Sequence, residues 1–161
     1  MNIDKLDLAW LAGIWEGEGS ICIFRNKRKG GTMKLSVTLT LVNTDPKLIT
    51  ESIRIMEKMN VKFHLFERKH NNPKWATAYQ LTLRHFQQCK TFLEKLEPFL
   101  RGNKKQIALL TLRFLDSRIK AIEKNRNTPN SEKENKILNE VKNLNKRGVS
   151  KELVESSETR R

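Results

Sequence analysis

Apolar residues recur at three- and four-residue steps through Ile3, Leu6, Trp10, Leu11 and Ile14. This predicts an amphipathic helix over Asp4–Gly17, with Gly19 as its stop. The period then changes to two. From Ser20 to Arg28, Ile21, Ile23 and Arg25 alternate with Cys22, Phe24 and Asn26, and Gly30-Gly31 supplies a turn, as in the first strand of a hairpin. Lys34–Val42 alternates more cleanly. Leu35, Val37, Leu39 and Leu41 make one face and Lys34, Ser36, Thr38 and Thr40 the other, which predicts a half-buried strand with a polar side.

After Asp45-Pro46, helical spacing returns over Lys47–Met59, with Pro46 suited to the first helical position. Val61–Lys69 and Trp75–Arg84 read as two strands joined through His70-Asn71-Asn72-Pro73, and so as a second hairpin. Phe86–Leu96 and Lys104–Lys124 read as helices separated by Pro98 and Gly102. The order α-β-β-α-β-β-α-α predicts an α+β fold, an antiparallel sheet with helices on one face. A polar, Asn-rich stretch from Asn125 to Asn135 with Pro129 within it marks a linker. A short helix through Ile137, Leu138, Val141 and Leu144 should follow, and then a basic tail. The expected division is therefore a domain over 1–124 and an appendage over 125–161.

The 161 residues suit one domain, and 32 Lys and Arg against 18 Asp and Glu leave a formal charge of +14, which points to a polyanionic partner. Charge alone does not separate a nucleic-acid enzyme from a basic binding or ribosome-associated protein. Cys22 and Cys89 have no CxxC spacing, so reduced thiols and an intracellular protein are expected, in an organelle or a prokaryotic cytoplasm. Neither a signal-peptide pattern nor a membrane-length apolar run is present, so no membrane partner is expected.

The segment Leu11-Ala-Gly-Ile-Trp-Glu-Gly-Glu-Gly-Ser20 places Glu16 and Glu18 at a helix C-terminus. Carboxylates are disfavoured there by the helix dipole, so a compensating positive group is expected. A divalent cation held by a carboxylate and a free carbonyl would serve. Residues two apart lie roughly 200° apart around a helix, so only one of the two acids can face a given ion. Ala9, Gly13 and Gly17 recur every four residues, a stripe open to close packing within the chain or against a second copy.

These ten residues resemble the LAGLIDADG motif of homing endonucleases, matching at Leu11, Ala12, Gly13, Ile14 and Gly19-Ser20, with acids at both acidic positions. Both acids are Glu where the family usually has Asp. Residues 6–115 carry the resemblance, with one motif per chain. It implies a saddle-shaped homodimer cleaving double-stranded DNA with short 3′ overhangs, with Ala9, Gly13 and Gly17 at the dimer interface. Glu18 and the Gly17 carbonyl would bind Mg²⁺, with Mn²⁺ or Ca²⁺ as substitutes, and Glu16 would be structural. Asn43 falls where a polar residue holds the attacking water, and Lys47 where a basic residue lines the site. Lys104 and Lys105 are rivals for the family's assisting lysine, with Asn103 at its usual position. A non-cleaving relative on the same scaffold, an intron-RNA maturase or a DNA-binding regulator, is the alternative; Glu18 favours the enzyme.

For DNA recognition, a β-ribbon fits the major groove and presents one face to base edges. The expected readers are Lys34, Ser36, Thr38 and Thr40, flanked by Phe24, Asn26 and Arg28 and by Gln80, Thr82 and Arg84. On the third strand, whose register the pattern leaves open, only Arg68 is assigned. A nine-residue strand at ~3.3 Å per residue spans roughly nine base pairs, so a dimer would read a long, partly palindromic site.

Overall fold

Asp4 starts the first helix by accepting the Leu6 N–H at 3.0 Å, and Asp45 caps the second by accepting the Lys47 N–H at 2.8 Å. The structure, a computed structural model, describes residues 3–27, 31, 33–69, 72, 74, 76–124 and 131–146. Its elements are α1 (Lys5–Glu18), β1 (Gly19–Lys27), β2 (Met33–Asn43), α2 (Pro46–Lys58), β3 (His64–Arg68), β4 (Ala78–Leu83), α3 (Phe86–Leu96), a 3₁₀ turn (Glu97–Phe99), α4 (Gly102–Glu123) and α5 (Glu132–Leu144). The α+β order is the one read from the residue pattern.

The sheet is antiparallel in the order β1-β2-β4-β3. Ile21 and Ile23, then Leu35 to Leu41 at alternate positions, then Leu81 and Leu83, are all buried on one face. Trp15, Phe92 and Phe114 pack among them from α1, α3 and α4, with the Trp15 and Phe92 rings 4.6 Å apart.

Two strands are shorter than expected. Val61 is buried where its N–H bonds the Met56 carbonyl at the end of α2, and Asn60 takes φ 56, so the chain is still turning there and β3 begins only at His64. β4 begins at Ala78 and ends at Leu83; Trp75 lies outside the described residues.

The boundary expected at 124 does not divide the packing. Leu138 and Val141 of α5 are fully buried in the common core. Glu134, 3% exposed, pairs with Arg118 of α4 at 3.1 Å and accepts the Ser117 hydroxyl at 3.0 Å. Asn145 donates to the Ile21 carbonyl of edge strand β1 at 3.0 Å. Breaking one half of such a buried pair costs about 3–5 kcal/mol, so α5 is an integral layer. No helix among the described residues is long and apolar enough to cross a membrane.

Candidate catalytic and nucleic-acid-binding site

α1 ends over the ring of Trp15. A Cβ added to Gly19 would lie 2.5 Å from that ring, so only glycine lets the helix pass directly into β1. The two carboxylates then separate as their spacing requires. Glu16 turns back and accepts the Arg101 backbone N–H at 2.6 Å. Glu18 is exposed, and its side chain has no hydrogen bond or ion pair among the described residues.

Lys104 closes the helix end. Its Nζ donates to the Trp15 carbonyl at 2.7 Å and to the Glu16 carbonyl. Burial pulls its pKa below the ordinary lysine value, against the opposing attraction of Glu16 and Glu18. The positive charge that the carboxylates call for is thus already supplied in part by a lysine, which weakens the inference from helix-end charge to a metal. Lys105, one residue on and so about 100° around the helix, points elsewhere and pairs with Glu97 at 3.4 Å. Of the two rivals, only Lys104 reaches α1.

Gly17 and Glu18 border a cavity of about 500 Å³ with Asn103 and Lys104 of α4 and Asn145 and Lys146 at the end of α5. Asn43 and Lys47 do not border it. The Asn43 Oδ1 accepts the Asp45 N–H at 2.8 Å, which commits it to a local turn, and Lys47 is exposed in the first turn of α2. Asn145 and Lys146 were missed because they follow a linker-like stretch; only the docking of α5 brings them here.

No group of three acidic, histidine or cysteine side chains suited to a metal occurs among the described residues. The donors at Glu18 are one free carboxylate and the Gly17 carbonyl, which falls in the last helical turn, where carbonyls lack an intrahelical partner. Such a set fits a hard cation that takes its remaining oxygens from water and a substrate phosphate, as Mg²⁺ does.

The strand register puts Ser20, Cys22, Phe24 and Asn26 of β1 opposite Thr40, Thr38, Ser36 and Lys34 of β2, on the face away from the core. Phe24 and Asn26 are exposed, and Lys34, Ser36, Thr38 and Thr40 half-buried. Arg28 lies outside the described residues. Across the sheet, His64 pairs with Thr82, Phe66 with Gln80 and Arg68 with Ala78, so Arg68 shares this face and is exposed. Gln80 and Thr82 are on the expected face but closed off: they are 8% and 1% exposed, and the Gln80 amide donates to the Thr82 hydroxyl at 2.9 Å. In this structure neither side chain is open to a base edge. Arg84 lies beyond the end of β4.

On the outer side of α1, Ala9, Gly13 and Gly17 are exposed together with Leu6 (76%) and Trp10 (38%). A Cβ on Gly13 or Gly17 would meet nothing within 4 Å.

No curated protein matches the sequence. Among solved structures, the archaeal intron-encoded homing endonuclease I-Vdi141I complexed with DNA has a TM-score of 0.65 at 16% identity, over 89% of this chain and 87% of that one. The homing endonuclease I-CvuI in complex with its target in the presence of Ca superposes with a TM-score of 0.62 at 22% identity, over 94% and 91% of the two chains. I-CvuI with the I-CreI target in the presence of Mg gives 0.62 at 21% identity, over 91% and 85%. These likenesses establish the fold as that of LAGLIDADG homing endonucleases. The family pattern described as the LAGLIDADG-like domain matches residues 5–97, from the first turn of α1 to the end of α3, and the chain therefore belongs to the LAGLIDADG family.

Proposed function

We propose that the chain is a homing endonuclease that binds a long, partly palindromic DNA duplex as a homodimer and hydrolyses one phosphodiester in each strand. The observation that carries this reading is Glu18: an exposed carboxylate with no hydrogen bond or ion pair among the described residues, at a glycine-built helix end and near the half-buried Lys104. A protein that only holds nucleic acid gains nothing from a carboxylate facing phosphates, since like charges repel. A maturase or DNA-binding regulator on this scaffold would account for the charge but leaves Glu18 without a role.

In this reading Glu18 and the Gly17 carbonyl hold a divalent cation, which when bound lowers the pKa of water and offsets charge on the scissile phosphate. The other residues prepare the place. Glu16 fixes the α1 end to the start of α4 through the Arg101 N–H. Lys104 ties up two carbonyls of the helix end and keeps a cation beside the phosphate path. The outward row with exposed Phe24, Asn26 and Arg68 and half-buried Lys34 and Ser36 grips the duplex. A second chain packed on Ala9, Gly13 and Gly17 brings a second Glu18 beside the first, one for each strand.

The test is to incubate wild type and Glu18→Gln with a randomised duplex library in Mg²⁺ and to sequence the ends produced. Wild type should yield ends at one site class and the variant none, with DNA binding retained. Absence of cutting by wild type in Mg²⁺, Mn²⁺ and Ca²⁺ alike, with binding intact, would support the non-cleaving alternative.

A further inference from the structure

β4 stops at Leu83 and α3 begins at Phe86, so Arg84 and His85 leave the sheet where the alternating pattern would keep them on it. With Lys62, Phe63, His64 and Gln88 they line a cavity of about 640 Å³. No carboxylate is among these six residues. Neither the Lys62 ammonium nor the Arg84 guanidinium has a hydrogen bond or ion pair among the described residues. Some of the protein's other cations are paired: Arg54 and Lys58 bind Asp7, and Lys90 binds Asp116.

The cavity wall is held in place from α3. Gln88 Oε1 accepts the Lys62 N–H at 2.7 Å, which pins the Lys62 backbone and leaves the Gln88 amide hydrogens free to donate. Arg84 and His85 also border a neighbouring cavity of about 460 Å³ that includes Ser36 and one acid, Glu123. His64 belongs to both the first cavity and the exposed row of β3, and Ser36 to both the second cavity and the polar row of β2. The cationic pocket is therefore continuous with the surface assigned to DNA.

We propose that this pocket seats a backbone phosphate of the bound duplex, with Arg84 and Lys62 as its anchors, and that Arg84 reads no base. The planar guanidinium offers two parallel N–H groups to the non-bridging oxygens, Lys62 adds a point charge, and the imidazoles and Gln88 supply further donors. The proposal rests on the DNA-binding reading of the sheet and adds to it a contact that does not depend on sequence.

The experiment measures binding of the full chain, in Ca²⁺, to a wild-type-selected duplex and to a scrambled one across a range of salt. Arg84→Ala should weaken both by the same factor, about tenfold or more, and reduce the steepness of log affinity against log salt by about 1.8, roughly 0.9 for the one phosphate that each copy of the dimer gives up. Arg84→Lys should keep the slope. A scan of single neutral methylphosphonates should find one position in each half-site that weakens wild type and leaves Arg84→Ala unaffected. A relaxed preference at one base pair with an unchanged salt slope would make Arg84 a base reader and overturn the proposal alone. Wild type that binds no duplex would overturn the DNA reading and this pocket's role with it. Arg84 is exposed, and unchanged thermal melting of its variants would confirm that the fold is intact.

Discussion

The motif over α1 and the start of β1 carries three glycines that are glycine for two different reasons. At Gly19 the reason is inside the chain, where any Cβ would meet the ring of Trp15. At Gly13 and Gly17 no atom of the described chain comes within 4 Å of an added Cβ. Yet glycine within a helix costs about 1 kcal/mol relative to alanine. One face of the motif is thus explained by its own fold, with Leu11, Ala12 and Trp15 buried. The other face keeps Leu6 and Trp10 in solvent, and its glycines touch nothing in the described chain; in the proposed homodimer a second copy packs there. In the proposed dimer a single motif thus serves folding on one side and assembly on the other, separated by the turn of the helix.

The buried face should break first. Trp15→Ala removes a fully buried ring that packs on Phe92 and supports the turn at Gly19, and should lose about 3–5 kcal/mol, read in chemical denaturation as a lowered midpoint. Gly19→Ala pushes against the same ring and should cost about 1–3 kcal/mol. A Gly19→Ala protein as stable as wild type would show that the ring can move and that the close approach does not dictate this glycine.

The end of the helix separates two neighbouring lysines. Lys104→Met takes the Nζ donor from the Glu16 carbonyl, leaves the Trp15 carbonyl with the Gly19 N–H, and should destabilise by about 1–3 kcal/mol. Lys105→Met gives up only a longer pairing with Glu97 near the surface and should cost about 0–1 kcal/mol. Equal losses in the two variants would remove the distinction. In the cleavage assay only the first should slow the reaction.

That distinction was not legible in the sequence, because it depends on the rotation of α4 relative to α1, which local periodicity does not encode. Local periodicity did encode a great deal. The α3 limits Phe86–Leu96 and the two faces of β2 follow directly from it, since a buried face imposes its period on the residues that supply it. It could not encode cover. Gln80 and Thr82 alternate correctly with Leu81 and Leu83, yet they are shut off on the far side by their own sheet neighbours. Nor could it place α5, whose four apolar positions were visible but whose docking depends on Arg118, Ser117 and the Ile21 carbonyl, contributed by elements distant in the chain.

The smallest effect on stability is the most informative about the open face. Gly13→Ala should leave the isolated chain unharmed or stabilise it by about 1 kcal/mol, because the new methyl meets nothing and the helix gains propensity. If a second α1 approaches there, the same methyl must separate two backbones, and a larger Gly13→Leu must separate them further. Sedimentation should then show a mass shift from dimer to monomer that grows with side-chain size while thermal stability at low concentration holds. Unchanged assembly with Gly13→Leu would mean that the partner sits elsewhere on the molecule and that the two exposed glycines have some other cause.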